Sequence, residues 1–378
     1  MQDIESALAH VRELLNAQQA RALAMKDAPA PRSYKEKSTI VIGLVPGDGI
    51  GPIIMEQAER VARELLRDEL DQGLITLKPI EGLTIENRLR LNQSLPDGFL
   101  DEVLKCDVLL KGPTTTPKGG TMESANVALR RALDLYANVR PVQIPEEGID
   151  WTFFRENTEG EYVLGSQGIE LPDCLTMDFK VTTVEGTRRI ARAAFDFARA
   201  NGKTSVAIVT KANIMKKTDG MFSAVCHEVA ADYPGITAED WYIDIMTANL
   251  VNPDIRSRFQ VFLLPNLYGD IITDEAAQLQ GGVGTAGSAN IGGRYAMFEA
   301  IHGSAPRMLE QGLGDYANPA SILRALVMLL RHTARQTAAA RLEKALSKAD
   351  ADPALRMTGD STGSTCKDYA DAVIKALG

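Results

Sequence analysis

Asp270 and Asp274 stand four residues apart in NLYGDIITDEAAQLQ (266–280), directly after the apolar run Val261–Leu264. If this segment is a helix, both carboxylates project to one side, at the carboxyl end of a strand, where open α/β sheets place their ligands. Two carboxylates so close repel unless a cation lies between them, and an oxygen-only donor pair suits Mg²⁺ or Mn²⁺. Capping of the helix N-terminus by Asp270 is the competing structural explanation.

A second constellation is basic. In KGPTTTPKGGTMESANVALRRALDLYANVRP (111–141) a polar loop feeds a short helix that presents Ser124, Asn126 and Arg130, with Arg140 following. Asn126 and Arg130 share a helix face. A guanidinium matches a carboxylate with two parallel donors, so two arginines with a hydroxyl and an amide form a cradle for a polycarboxylate; ordinary surface ion pairing is the alternative. WTFFRENTEGEY (151–162) adds Arg155 in an apolar-flanked stretch and ends at Tyr162, whose hydroxyl is able to donate a proton.

Two glycine-rich stretches remain. The turn from Pro46 to Gly51 (PGDGIG) opens a helix, as phosphate-cradling loops do, but its spacing is not G-x-G-x-x-G and no acidic residue closes a second strand about 20 residues on, so a tight turn is its reading. GGVGTAGSANIGG (281–293) and FEAIHGSAPRM (298–308) read together as a long glycine-rich loop able to approach a nucleotide, with His302 beside Gly303. A lone histidine is by itself more often structural.

The elements that must position these residues alternate. Thr39–Val45 reads as a buried strand, followed by a helix from Gly51 to Leu66 with Pro52 in its first turn; apolar β-branched runs recur at Val108–Leu110, Val206–Val209 and Val261–Leu264, separated by helical stretches at 186–200 and 217–231. This is the pattern of an α/β protein with a mostly parallel sheet. Residues 334–350 are helical in composition. Ahead of this body, Ile4, Leu8, Val11, Leu14 and Leu15 sit at helical spacing and predict an amphipathic packing or dimer-contact arm, and Asp27–Ser38 is a Pro- and charge-rich linker.

At 378 residues the chain exceeds the usual size of a single core, so one large or two medium domains are expected. A net charge of −9 argues against nucleic acid or an anionic membrane as the main partner, and anionic ligands must therefore meet locally placed arginines. Cys106, Cys174, Cys226 and Cys366 are far apart and make no C-x-x-C pair, so reduced thiols are expected. With no apolar run of spanning length and no secretory pattern at the N-terminus, the expected location is cytoplasmic.

Taken in order, PGDGIGP, KGPTTTP with S-x-N-x-x-x-R, RENTEG-x-Y, NLYGDIITD and H-G-S-A-P resemble the isocitrate/isopropylmalate dehydrogenase family, the β-decarboxylating dehydrogenases, from about Thr39 to the end. The resemblance implies a two-lobe α/β fold with a mostly parallel sheet and an active cleft between the lobes. Residues 39–133 plus 282–378 would form the large, nucleotide-binding lobe, 134–281 a small lobe carrying dimer contacts and metal ligands, and 1–38 a helical arm and linker. Ser124-Ala-Asn126 looks like the isocitrate type of substrate helix, which implies oxidative decarboxylation of isocitrate to 2-oxoglutarate and CO2 with reduction of NAD(P).

By the same resemblance Arg130, Arg140 and Arg155 hold carboxylates, and Asp270 and Asp274 bind Mg²⁺ or Mn²⁺ with Asp244 of a neighbouring subunit. Tyr162 is then the general acid, and Lys211 of the second subunit assists proton transfer. The active species is accordingly a homodimer with shared sites. Thr115, Thr116, Asn213 and Glu299 match the nicotinamide end of the nucleotide, and His302, Gly303, Ala305 and Asn318 the adenosine loop. Arg307-Met308 stands where many NAD-using relatives have Asp and NADP-using isocitrate enzymes have Lys-Tyr. Arg307 suits a 2′-phosphate, but Met308 is not the NADP-type Tyr, and residues 357–363 (MTGDSTG) lack the Tyr and Arg that relatives use; NAD is slightly favoured. The alternatives are a sister activity on isopropylmalate, homoisocitrate or tartrate, or a non-catalytic regulatory subunit of a hetero-oligomer, against which the retention of every proposed metal and proton-transfer residue argues.

Overall fold

The computed structural model describes residues 3–27, 31–35, 37–117 and 122–378. Parts of the expected linker (28–30 and 36) and of the loop before Ser124 (118–121) lie outside the described residues. In chain order the strands are β1 (Ile40–Val45), β2 (Ile75–Pro79), β3 (Val108–Lys111), β4 (Ala137–Ile144), β5 (Ile149–Glu156) and β6 (Ile169–Leu171). They continue with β7 (Leu175–Met177), β8 (Ser205–Thr210), β9 (Thr237–Tyr242), β10 (Val261–Leu264), β11 (Gly287–Ile291) and β12 (Ala296–Ala300).

The chain divides into two compact units. One combines Pro31–Leu133 with Gln280–Gly378, and the other joins the described residues before Pro31 to Asp134–Leu279. In the first, the strands run in the order β2-β1-β3-β12-β11, parallel except for the β11/β12 pair. Apolar β1 and β3 are buried along almost their whole length, as strands of a parallel sheet covered on both faces must be. The turn after β1 is tight for a steric reason: Gly47 has φ +76°, and a Cβ there would lie 2.1 Å from the Pro113 carbonyl oxygen. It leads into the helix Gly51–Leu65, whose Pro52 occupies the first turn.

The expectation of one long glycine-rich loop over 281–308 is corrected here. Gly287–Ile291 and Ala296–Ala300 are paired antiparallel strands. Small residues there reflect close packing: a Cβ on Gly287 would lie 2.5 Å from the backbone nitrogen of Ala325, in the helix Ala320–His332.

In the second unit the order is β4-β5-β10-β8-β9, with β4/β5 antiparallel and the remaining pairs parallel. Its core is aromatic. Phe153 on β5 stacks on Phe262 of β10 with centroids 4.3 Å apart, and Trp151 meets Phe262 edge-on at 5.8 Å. The expected N-terminal helix forms over Ile4–Ala24, with Asp3 accepting from the Ser6 amide at 2.8 Å. Its buried positions are Ala7 and Leu14, whereas Ile4 and Leu8 are exposed; Val11, Leu14 and Leu15 line a cavity with Leu164, Phe179 and Val181.

Candidate active site

β5 carries Arg155 as its last residue but one, β4 carries Arg140, and the helix Asn266–Leu279 follows β10 after one residue. Antiparallel pairing of β4 with β5 and parallel pairing of β5 with β10 bring the three together. Asp270 lies in the second turn of that helix, which removes helix capping as its role. Arg155 is 1% exposed; its Nε and Nη2 donate to Asn266 Oδ1 at 3.0 and 2.7 Å, and its Nη1 donates to Asp270 Oδ1. The Tyr162 hydroxyl donates to the other oxygen of Asp270 at 2.7 Å. Arg140 Nη1 donates to Thr273 Oγ1 at 2.6 Å and to Asp274 Oδ1 at 3.0 Å. Two arginines and two aspartates are thus interlocked.

The aspartate side chains keep solvent-facing surface, 41% for Asp270 and 62% for Asp274. Such a hard, oxygen-only pair fits a divalent cation. It is incomplete within one chain: among the described residues no three His, Cys, Asp or Glu side chains are grouped so as to hold a metal ion. Asp244 is paired instead with Lys211 at 2.7 Å, an ammonium that holds its carboxyl below the usual range.

The second cluster belongs to the other unit. Asn126 and Arg130 lie on the helix Ala125–Ala132, with Ser124 just before it. Thr114 Oγ1 donates to Asn126 Oδ1 at 3.0 Å, and Arg130 Nη2 donates to Glu299 Oε1 at 3.1 Å. Glu299, 4% exposed, also accepts from Asn290 Nδ2 at 2.8 Å and from fully buried Lys111 at 3.2 Å. Burial alone would raise its pKa, but the charges of Lys111 and Arg130 overcome that and hold it at about 2. Lys111, Arg130 and Glu299 together carry one surplus positive charge. Glu299, which the family resemblance sets beside the nicotinamide, thus has both oxygens engaged by protein donors, Arg130 among them.

Thr115 is fixed at three atoms. Its amide donates to Asp48 Oδ2 at 2.7 Å, its carbonyl accepts from Arg88 Nη2, and its hydroxyl is 2.7 Å from Ser304 Oγ. Asp48 thereby ties the PGDGIGP turn to the KGPTTTP loop. Thr116, Gly303 and Arg307 are exposed, and Ala305 adopts a left-handed conformation (φ 45°) at the head of the short helix Pro306–Glu310. His302 Nδ1 is 3.0 Å from the Gly303 carbonyl oxygen, and burial lowers its pKa. Asn318 accepts at 2.9 Å from the amide of Ala320, the first residue of the helix Ala320–His332. Asn213 sits exposed on a turn after β8, in the unit that carries the aspartates.

Lys111, Asn290, Asp48, Arg88 and Asn266 are site-supporting residues not singled out in the sequence. Lys111, Asp48 and Asn266 lie inside the recognised motifs and were readable there. Arg88, at 0% exposure, has no local signal.

One pH effect arises beside Arg155. Glu156 is buried next to Glu159, and desolvation first, then that second carboxylate, push its pKa up to about 7. A carboxyl whose folded value lies above its unfolded one destabilises when ionised, so the penalty is absent below about 4.5 and grows as pH rises to 7. Glu156→Gln removes the titration. Its melting temperature relative to the parent protein is expected to rise between pH 4.5 and 7.5 on top of any constant offset from a lost acceptor; a flat difference in thermal melts across that range would refute the assignment.

Fold and site together define a two-unit α/β protein in which Arg140, Arg155, Asp270, Asp274 and Tyr162 interlock. Residues 41–373 match the model of the isocitrate/isopropylmalate dehydrogenase family, and the chain belongs to that family. It is 38% identical over 337 residues to the probable isocitrate dehydrogenase (NAD) subunit alpha, mitochondrial, of Caenorhabditis elegans, covering 87% of this chain and 89% of that protein. It is 37% identical over 352 residues to the isocitrate dehydrogenase (NADP) of Rickettsia prowazekii (strain Madrid E), covering 89% and 70%. Among solved structures, isocitrate dehydrogenase from Methylococcus capsulatus superposes with a TM-score of 0.79 at 34% identity, over 90% of this chain and 99% of that one. The two-lobe α/β expectation is borne out.

Proposed function

We propose that the chain catalyses oxidative decarboxylation of isocitrate to 2-oxoglutarate and CO2 with reduction of NAD or NADP, and with Mg²⁺ or Mn²⁺ held by Asp270 and Asp274. The observation that carries this reading is the pairing of Arg140 and Arg155 with those aspartates. Without ligands the four charges cancel. With a tricarboxylate and a divalent cation bound, Arg140 and Arg155 would hold substrate carboxylates and Asp270 and Asp274 would hold the cation, so each ligand would favour the other's binding. Arg130, held by Glu299, takes a further carboxylate, with Ser124 and Asn126 beside it on the substrate helix.

A divalent cation would supply Lewis-acid charge stabilisation and a nicotinamide would accept the hydride. The rest falls to the chain. Tyr162, already donating to Asp270, delivers the proton to carbon after CO2 leaves. Lys211 assists removal of the hydroxyl proton, and Asp244 completes the cation site, both from a second copy in a homodimer. Thr115, Thr116, Asn213, Glu299, His302, Gly303, Ala305, Arg307 and Asn318 are assigned to the nucleotide. Relatives named for NAD and for NADP are about equally similar. Met308 beside Arg307 tips the assignment slightly to NAD.

Steady-state kcat/KM for isocitrate, isopropylmalate, homoisocitrate and tartrate with each nucleotide tests the substrate. Turnover of isopropylmalate above that of isocitrate would overturn the proposal, and purified chain inactive on all four acids would point to the regulatory-subunit alternative. Mixing Lys211→Ala with Tyr162→Phe chains is expected to restore activity, to at most about a quarter of the parent rate if half the dimers are mixed and one of two sites is intact. Verified mixed dimers that stay inactive would remove the shared site.

A further inference from the structure

The helix Ile4–Ala24 lies outside residues 41–373 matched by the family model, yet it reaches a buried acidic pair of its unit. Glu156 and Glu159 are each 2% exposed and lie between Arg155 and Tyr162. Glu156 is satisfied locally, by the Thr158 amide at 3.0 Å, the Thr158 hydroxyl at 2.7 Å and the Glu159 amide at 2.6 Å. Glu159 is satisfied from a distance. The amide of Thr183 donates to it at 2.8 Å and the Thr183 hydroxyl at 2.5 Å, and Arg21 of the N-terminal helix donates its Nη2 to Oε1 at 2.8 Å. Arg21 Nε meanwhile donates to Gln18 Oε1 at 2.8 Å, so the guanidinium is aimed by its own helix. That helix is seated by buried Ala7 and Leu14 and by His10, whose Nε2 is 3.0 Å from the Gln167 carbonyl oxygen.

Most exposed ion pairs contribute little. This one is different, because the Glu159 side chain is 3% exposed and faces a second buried carboxylate; a carboxylate so placed needs a cation. From Glu159 a short route runs to the chemistry. Its carbonyl accepts from Asn266 Nδ2 at 3.1 Å, and Asn266 Oδ1 receives Arg155 Nε and Nη2. Arg155 then meets Asp270, which also takes the Tyr162 hydroxyl.

We propose that Arg21 is a positioning residue of the active site, and that the N-terminal helix acts through the Arg21–Glu159 ion pair to fix the segment that carries Arg155 and Tyr162. The inference rests on the assignment of those two residues to the isocitrate site. It predicts a selective defect. In the 378-residue chain, Arg21→Met is expected to raise the KM for isocitrate about tenfold and to lower kcat, because small displacements of positioning groups carry such penalties. The KM for nucleotide should stay within about twofold, since most of the residues assigned to it lie in the other unit. Arg21→Lys should recover most of the loss, and Arg12→Gln, an exposed change on the same helix, should behave as the parent.

Hydrogen–deuterium exchange supplies a reading independent of turnover: amides of 156–163 should exchange faster in Arg21→Met while those of 108–115 do not change. If Arg21→Met does not accumulate as folded protein, Arg21→Gln is read the same way. An unchanged isocitrate KM with unchanged exchange at 156–163 would overturn the proposal, as would a loss confined to the number of active sites with both KM values retained. Should the parent chain turn over no isocitrate, the functional assignment falls, and the exchange comparison alone decides the role of Arg21.

Discussion

Asp270→Asn is expected to lower kcat/KM for isocitrate by about a thousandfold or more, in line with the several kcal/mol that a catalytic metal site contributes to a transition state. Asp270 is the junction of the aspartate-bearing unit: one oxygen takes Arg155, the other takes Tyr162, and the carboxylate is assigned to the cation. Asparagine keeps the shape, yet it offers an amide NH2 where one of those donors points, and it leaves the Arg155 guanidinium, 1% exposed, without its anionic partner. Raising the metal concentration should restore little. Asp274→Asn is the instructive comparison, because Asp274 is 62% exposed and its ion-pair contact is with Arg140. Its replacement should cripple turnover and raise the metal requirement, with added Mn²⁺ recovering part of the rate. Initial rates across a Mn²⁺ titration separate the two. Asp270→Asn with near-normal turnover at low metal would take Asp270 out of the site.

How far the sequence leads can be judged from these residues. The i, i+4 spacing of Asp270 and Asp274 was readable because helical periodicity is local, and β1, β3, β8 and β10 announced themselves as unbroken apolar runs. What was not legible was non-local. The ion pairs Arg155–Asp270 and Arg140–Asp274 join positions more than a hundred residues apart. No spacing rule encodes a contact made by strand pairing between β4, β5 and β10. β11 was missed for a different reason: GSANI is short, small and polar, so it looks like loop until Gly287 is seen against the backbone of the helix Ala320–His332. β9, TAEDWY, carries two acids at the end of its sheet order, where charge is tolerated and apolar alternation is not required. The N-terminal helix was found by periodicity, but which of its apolar residues are buried was not legible, because the same period describes a face turned to solvent and a face turned to the core.

The second large effect concerns stability, and it follows from the charge count in the substrate-helix unit. Glu299→Gln is expected to cost about 3–5 kcal/mol, since it strands buried Lys111 and nearly buried Arg130 without the carboxylate that both address. For a unit of this size that is roughly a 10 °C fall in melting temperature. The pH dependence has a definite sign. A carboxylate held at about 2 when folded, against 4.5 in the unfolded chain, contributes stability that is complete above about 4.5 and is lost as pH falls toward 2. The gap between parent and variant should therefore be full at pH 7 and narrow on acidification. Lys111→Met alone should also destabilise, by leaving Glu299 with Arg130 and Asn290. The double variant should be less damaged than the sum of the two, because it removes an ion pair and its burial cost together. Isocitrate binding supplies the complementary reading: with Glu299 neutral, Arg130 loses the group that aims it, so substrate affinity should fall even though the cluster has gained net positive charge. If affinity rose instead, bulk charge and not the orientation of Arg130 would govern recognition at this helix.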